Sequence, residues 1–262
     1  MSCINYDYHM HPNLMNVPEN GRMFIESAIE AGLKEICFTD HAPLSRFPLK
    51  DRVPFGEARR YCYAVRELAD EYKDRITVKC GIEMDYIPAL ENEIEDILSQ
   101  ADFDYVIGSS HLHVDGMLQE PLSELTADEY AAKCYKNNLL AVKSGYFHTI
   151  AHLDMYRWIA RSCERFKLRT AEFDLSLHEE AIRELFGEME KRGIALEINT
   201  HLMASTGIAE DIYPSPEVMR IAREYDLKYK FGSDAHHKGY VGFGRDIICK
   251  TELFKDCFCK PV

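Results

Sequence analysis

The sequence predicts an α/β fold: a single barrel domain spanning residues 1–262, with its functional groups at the C-terminal ends of parallel strands. Three observations lead there. Seven short apolar segments of strand character alternate with longer segments of helical period. No linker or low-complexity stretch interrupts the alternation, so one parallel sheet is expected. Each strand-like segment also ends in, or runs directly into, His, Asp or Glu. An open doubly wound sheet gathers its functional groups at one switch point, whereas a barrel spreads them around its mouth. No G-x-G-x-x-G follows the first strand, which argues against a dinucleotide-binding sheet.

The strands are expected at Asn5–His9, Glu35–Asp40, Ile76–Glu83, Tyr105–Ser110, His148–His152, Ala195–Thr200 and Lys228–Asp234. Their Ile, Val, Phe, Tyr and Cys content suits strands buried on both faces. Pro54–Lys73 reads as a helix, because Ala58, Tyr61, Val65, Leu68 and Tyr72 fall on one face. Ser123–Lys143 contains Thr126-x-x-Glu129, a capping-box pattern. Leu177–Arg192 stops before Gly193, and Ser215-Pro216 opens a helix over Glu217–Tyr225.

Composition narrows the function classes. The 262 residues are 46% hydrophobic and 29% charged, as expected of a globular chain with a large core. The net charge of −13 disfavours nucleic acid as a partner. No apolar run approaches the roughly 20 residues needed to cross a bilayer. The N-terminus, MSCINYDYHMH, has neither the basic start nor the apolar stretch of a signal peptide. Nine cysteines without a C-x-x-C, two of them (Cys37 and Cys80) in apolar strand-like runs, are read as reduced thiols of a cytoplasmic protein. The Cys257-x-Cys259 pair is read as incidental.

The strand ends carry the chemistry. In order they read His9-Met10-His11, Thr39-Asp40-His41, Gly81-Ile82-Glu83, Ser109-Ser110-His111, Ala151-His152-Leu153-Asp154, Asn199-Thr200-His201 and Gly232-Ser233-Asp234-Ala235-His236. Residues two apart on a strand share a face, so His9 and His11 can grip one ion together. Imidazole and carboxylate are ligands for Zn, Mn or Fe. One H-x-H arises easily by chance. Seven successive strand ends do not, because imidazoles and carboxylates buried without partners are costly.

These pieces, with Asp7-Tyr8-His9-Met10-His11, Glu197-Ile198-Asn199-Thr200 and Tyr213-Pro214-Ser215-Pro216, resemble the PHP (polymerase and histidinol phosphatase) superfamily, in its histidinol-phosphatase branch. The resemblance runs from residue 7 to residue 236. It implies a distorted (β/α)7 barrel with a trinuclear centre of two to three divalent ions. Carried over, one ion falls to His9, His11, Glu83 and Asp234. A second shares Glu83 and adds His111 and His152, and a third rests on His41 and His236. The stretch Pro12–Pro18, where relatives often supply another ligand, offers only Asn13 and Asn16.

The implied activity is that of a phosphomonoesterase acting on a small phosphorylated metabolite, with L-histidinol phosphate as the leading candidate. A metal-bridging hydroxide would attack phosphorus. Arg157 would contact the phosphate, and Asp234 or His236 would deliver a proton to the departing alkoxide. The Gly-Leu-Arg-like stretch that relatives carry after Thr200 is replaced here by His201-Leu202-Met203. His201 and Lys238 are therefore further substrate candidates, and another small phosphomonoester is the alternative. Arg46 and Lys50 could belong to a lid formed by the second loop. His113 is expected in a supporting or surface position, His148 at the far end of the barrel, and His178 in solvent, with His237 pointing away. An amidohydrolase is the rival enzyme, but it commonly places a bridging Lys after the fourth strand, where this chain has Ser109-Ser110-His111. A non-catalytic metal-binding barrel is the rival from another class.

Overall fold

The computed structural model describes residues 4–45, 52–114, 118, 120–161, 168–254 and 256–258. Seven strands pair in chain order, every neighbouring pair parallel. They are β1 (Tyr6–Asp7), β2 (Glu35–Phe38), β3 (Thr77–Asp85), β4 (Tyr105–Ser109), β5 (Thr149–Ile150), β6 (Ala195–Asn199) and β7 (Tyr229–Gly232). The ring nearly closes between the last strand and the first. Tyr8 N–H donates to Phe231 O at 3.2 Å, Asp234 N–H to His9 O at 2.7 Å, and His11 N–H to Ala235 O at 2.8 Å. All three contacts lie at the C-terminal rim, so the seam is stitched where the strand ends must converge.

The helices pack outside the sheet. They are α1 (Glu19–Glu30), α2 (Ala58–Tyr72), α3 (Glu91–Gln100), α4 (Ala127–Ser144), α5 (Tyr156–Arg161), α6 (Glu179–Arg192), α7 (His201–Thr206), α8 (Pro216–Ala222) and α9 (Arg245–Lys250). The α2 stripe is buried as its spacing predicts, through Ala58, Tyr61, Val65, Leu68 and Tyr72. Both halves of the capping box form at the start of α4. Glu129 N–H donates to Thr126 Oγ1 at 3.1 Å, and Thr126 N–H donates to Glu129 Oε2 at 2.8 Å. Gly193 ends α6 with a positive φ of 68°, a conformation glycine adopts without a Cβ clash. Among the described residues no helix is long and apolar enough to cross a membrane.

All seven expected strands are present, with shifted ends. β1 stops at Asp7 because side-chain alternation breaks just beyond it. Tyr8 packs on Tyr105, and its neighbour His9 meets Glu197. Asp7 meanwhile takes hydrogen bonds from Ser233 and Gly242. β3 instead runs two residues past Glu83, to Asp85.

Two other expectations fail. His178 is buried, not solvated: its Nε2 lies 2.9 Å from Asp128 Oδ1, and its ring stacks on Phe173 at 5.2 Å. Cys37, Cys62, Cys80 and Cys134 are free thiols, but Cys249 is disulfide-bonded, against the reading of all cysteines as reduced. Arg46, Lys50 and Cys259 lie outside the described residues.

Candidate metal centre

The residues following the strands turn inward and meet at one point, the Glu83 carboxylate. Five imidazoles approach it. His41 Nδ1 lies 2.7 Å from Oε2, and His152 Nε2 lies 2.9 Å from Oε1. His11 Nε2 and His9 Nε2 stand 3.5 and 3.6 Å from Oε2, and His111 Nε2 is 3.7 Å from Oε1. His9 and His11 bring their Nε2 atoms within 3.0 Å of each other. Asp234 Oδ1 lies 3.2 Å from His11 Nε2 and 3.7 Å from His9 Nε2. His236 closes the group, its ring stacked on His11 at 4.4 Å, and His41 also stacks on His11, at 4.3 Å.

A carboxylate with two oxygens cannot satisfy five imidazoles through hydrogen bonds alone. His11 Nδ1, His41 Nδ1 and Glu83 Oε2 are buried without a hydrogen-bond partner, although His41 Nδ1 and Glu83 Oε2 are so close. Donor atoms that converge without hydrogen-bonding geometry are the arrangement that divalent cations need. The sets His11–His41–His236, His9–His152–Asp234, His9–His11–Glu83 and His41–Glu83–His111 each bring their ligand atoms within 4.8 Å of one another. Imidazole nitrogen with carboxylate oxygen is a donor set for borderline transition metals, so the residues fit the ions. His11 joins His41 and His236 as a third nitrogen, on the side where Pro12–Pro18 adds none. Asn13 is engaged elsewhere, accepting from Asn16 Nδ2 at 2.6 Å.

Electrostatics prepare the ligands. Burial opposes ionisation of Glu83, but the surrounding His111, His41, His9 and His152 hold its carboxyl well below the usual range. Asp234 is likewise held well below it, by His9, His201, His11 and His236 against the cost of burial. Burial and the neighbouring His41 and His236 push His11 well below its ordinary value. Ionised carboxylates and neutral imidazoles are the ligand-competent forms. Against the cost of burial, the carboxylates around His9 and His111 instead push those rings above their ordinary value, His111 to about 9, so a cation would have to displace their protons. Two of these residues are held in unusual backbone conformations. His152 has φ 24° and Asp234 φ 52°, the kind of local strain that clusters at functional sites.

A second layer, to which the sequence assigned no role, orients the first. His111 Nδ1 lies 2.8 Å from Asp85 Oδ1, and Asp85 Oδ2 is 2.9 Å from Arg52 Nη2. His9 Nδ1 lies 2.6 Å from Glu197 Oε1, whose other oxygen accepts the His152 N–H at 2.8 Å. Carboxylates behind metal-binding imidazoles fix the tautomer and the ring angle. Asp85 carried a signal in the sequence, standing two residues beyond Glu83 on the same strand face.

A cavity of about 470 Å³ opens beside the centre. Its polar wall includes His41, Arg52, His111, His201, Asp234 and His236. Opposite chemistry comes from Val114, Met155, Trp158, Leu202 and Tyr213. His113 also lines it, edge-on to Trp158 at 5.9 Å. Arg157, expected at the phosphate, does not line the cavity. Its Nη1 donates to Ile212 O at 3.3 Å and lies 3.8 Å from Asp154 Oδ2, while Met155, just before α5, and Trp158 within it line the cavity instead. Lys238 is also outside it, exposed with Nζ near Met23 Sδ. His237 points away and accepts the Gly239 N–H, and His148 accepts the Val106 N–H near the start of β4.

The chain resembles known proteins over most of its length. Residues 7–201 match the PHP domain. A Deinococcus radiodurans protein named "Probable histidinol-phosphatase" is 31% identical, with 97% of this chain and 98% of that protein covered. The "Histidinol-phosphatase" of Bacillus subtilis is 27% identical over 92% of this chain and 97% of its own. Among solved structures, a histidinol phosphate phosphatase from Lactococcus lactis, complexed with Zn, L-histidinol and phosphate, superposes with a TM-score of 0.74 at 24% identity. That match covers 97% of this chain and 93% of the other, and it shows the same fold.

Proposed function

The chain belongs to the PHP domain family, and on that premise we propose that it is a metal-dependent phosphomonoesterase hydrolysing L-histidinol phosphate to L-histidinol and phosphate. The observation that carries the reading is the convergence of five imidazoles on Glu83 beside an open cavity. The names of the full-length relatives support the substrate. The activity belongs to histidine biosynthesis, and we assign it to the cytoplasm.

We assign two or three divalent cations, drawn from Mn, Fe and Zn, to His9, His11, His41, Glu83, His111, His152, Asp234 and His236. When bound, such ions neutralise phosphate oxygens and lower the pKa of water toward neutrality. The protein's own groups do the rest. Glu83 lies between the imidazoles that follow β1, β2, β4 and β5, so its charge would offset repulsion between cations held there. Asp85 and Glu197 keep His111 and His9 aimed inward. Asp234 points one oxygen at His11 and lines the cavity beside His236, and delivery of a proton to the leaving oxygen is assigned to this pair. The apolar wall around Trp158 and Met155 receives the organic part of the ester and excludes water from it.

The test is a substrate panel on metal-loaded protein. Values of kcat/KM for histidinol phosphate should exceed those for a generic aryl phosphate, and for sugar and nucleoside phosphates, by about 10-fold or more, on the order of 1.4 kcal/mol in transition-state binding. Equal values would remove the specific substrate and leave a general phosphatase.

A further inference from the structure

Asp234 places its main-chain carbonyl oxygen between two imidazoles. His201 Nδ1 lies 3.0 Å from it, and so does His236 Nδ1. A carbonyl oxygen can only accept, so each ring must carry a proton on Nδ1, and in the neutral imidazole Nε2 is then the bare lone pair. Imidazoles that bind metals are commonly held this way, through a backbone carbonyl on the other nitrogen. The two rings stand 5.5 Å apart at 71°. Both side chains are 42% exposed and both line the cavity. The Asp234 carboxylate stands on the Nδ1 side of both rings, with Oδ2 4.0 Å from His201 Nδ1 and Oδ1 3.5 Å from His236 Nδ1. The three residues bring ligand atoms within 4.8 Å of one another.

We propose that His201, with Asp234 and His236, forms a cation site at the mouth of the centre. Two imidazoles and a carboxylate suit a divalent ion of the Zn, Mn or Fe class, and they leave coordination positions open toward the cavity. Of the three, His201 is the residue that the family resemblance does not place among the ligands. It is supplied by the first turn of α7, directly after β6, so the rim on this side of the barrel contributes a nitrogen of its own. The inference rests on the metal-centre reading above: His236 has one nitrogen left to offer, so the ion is the one assigned to His41 and His236, and His201 adds a ligand to it.

The test separates a ligand from a hydrogen-bonding prop. Apo protein is prepared by chelation and titrated with Zn²⁺ against a chromophoric chelator, then with Co²⁺ followed by visible absorption. His201→Ala should weaken the least tightly held equivalent by about 10-fold or more, leave the others in place, and reduce the Co²⁺ ligand-field bands. His201→Asp should recover part of that affinity, because a carboxylate can ligate. His201→Asn should not, although its amide can still donate to the Asp234 carbonyl. His237→Ala, an exposed neighbour, serves as the control for surface binding and should titrate as wild type. If Asn rescues and Asp does not, or if the His201→Ala titration is unchanged, His201 is not a ligand. Wild-type protein that takes up no metal would overturn the metal-centre reading with it, whereas normal uptake insensitive to His201 overturns this inference alone.

Discussion

At the scale of single residues, the most informative pair is Asp85 and His111. Asp85 takes the His111 ring and backbone N–H while Arg52 holds its other oxygen, so it works behind the centre rather than in it. Asp85→Asn should therefore weaken metal retention by roughly 10–100-fold without unfolding the barrel, measured by competition with a chelator. Unchanged affinity would reduce Asp85 to an ion-pair partner of Arg52. The aspartate escaped the sequence reading because the third strand was expected to end at Glu83. Glu197 was visible within a motif, but its role depends on His9, 188 positions away, which no local pattern reveals. Arg157 shows the opposite limit. Its spacing after Asp154 was legible, yet spacing does not say which way a short helix faces, and α5 turns Trp158 to the cavity.

At the scale of elements, the strands were legible because each buried parallel strand is a short apolar run closed by a polar ligand. Their ends were less so. β1 and β5 hold only two paired residues each, since the chain leaves the ladder to aim His9, His11 and His152 inward. One close approach in β7 has a measurable consequence. A Cβ on Gly232 would fall 2.1 Å from Glu197 Oε1 and 2.6 Å from the His9 Cβ. Gly232→Ala should therefore displace the Glu197–His9 pair, lowering metal affinity and costing about 1–3 kcal/mol of stability in a denaturant titration. The α4 cap offers the complementary case. Thr126→Ala removes one half of the capping box and should cost about 1 kcal/mol while leaving kcat/KM unchanged, because no cavity-lining residue belongs to α4.

At the scale of the whole molecule, the candidate ligands come from β3 and from the segments that follow β1, β2, β4, β5 and β7, so cations at the centre would tie most of the ring together. Binding to the folded state alone stabilises it by about 2.7 kcal/mol per site at a hundred times Kd. Stripping the metal should then lower Tm by at least roughly 5 °C for a chain of this size, and reloading should restore it. The closed ring was foreseeable from functional residues after every strand. The seam was not, since it depends on hydrogen bonds between residues more than 200 positions apart, Tyr8 to Phe231 and His11 to Ala235. The central claim is that hydrolysis requires cations held by this cluster. It is tested most directly by measuring metal content and histidinol phosphate hydrolysis on the same preparation, first chelated and then titrated with Zn²⁺, Mn²⁺ or Fe²⁺. The account predicts negligible activity in the apo protein, rising to a plateau at two or three equivalents per chain. Full hydrolysis by metal-free protein, or uptake of less than one equivalent with no gain on reloading, would contradict it.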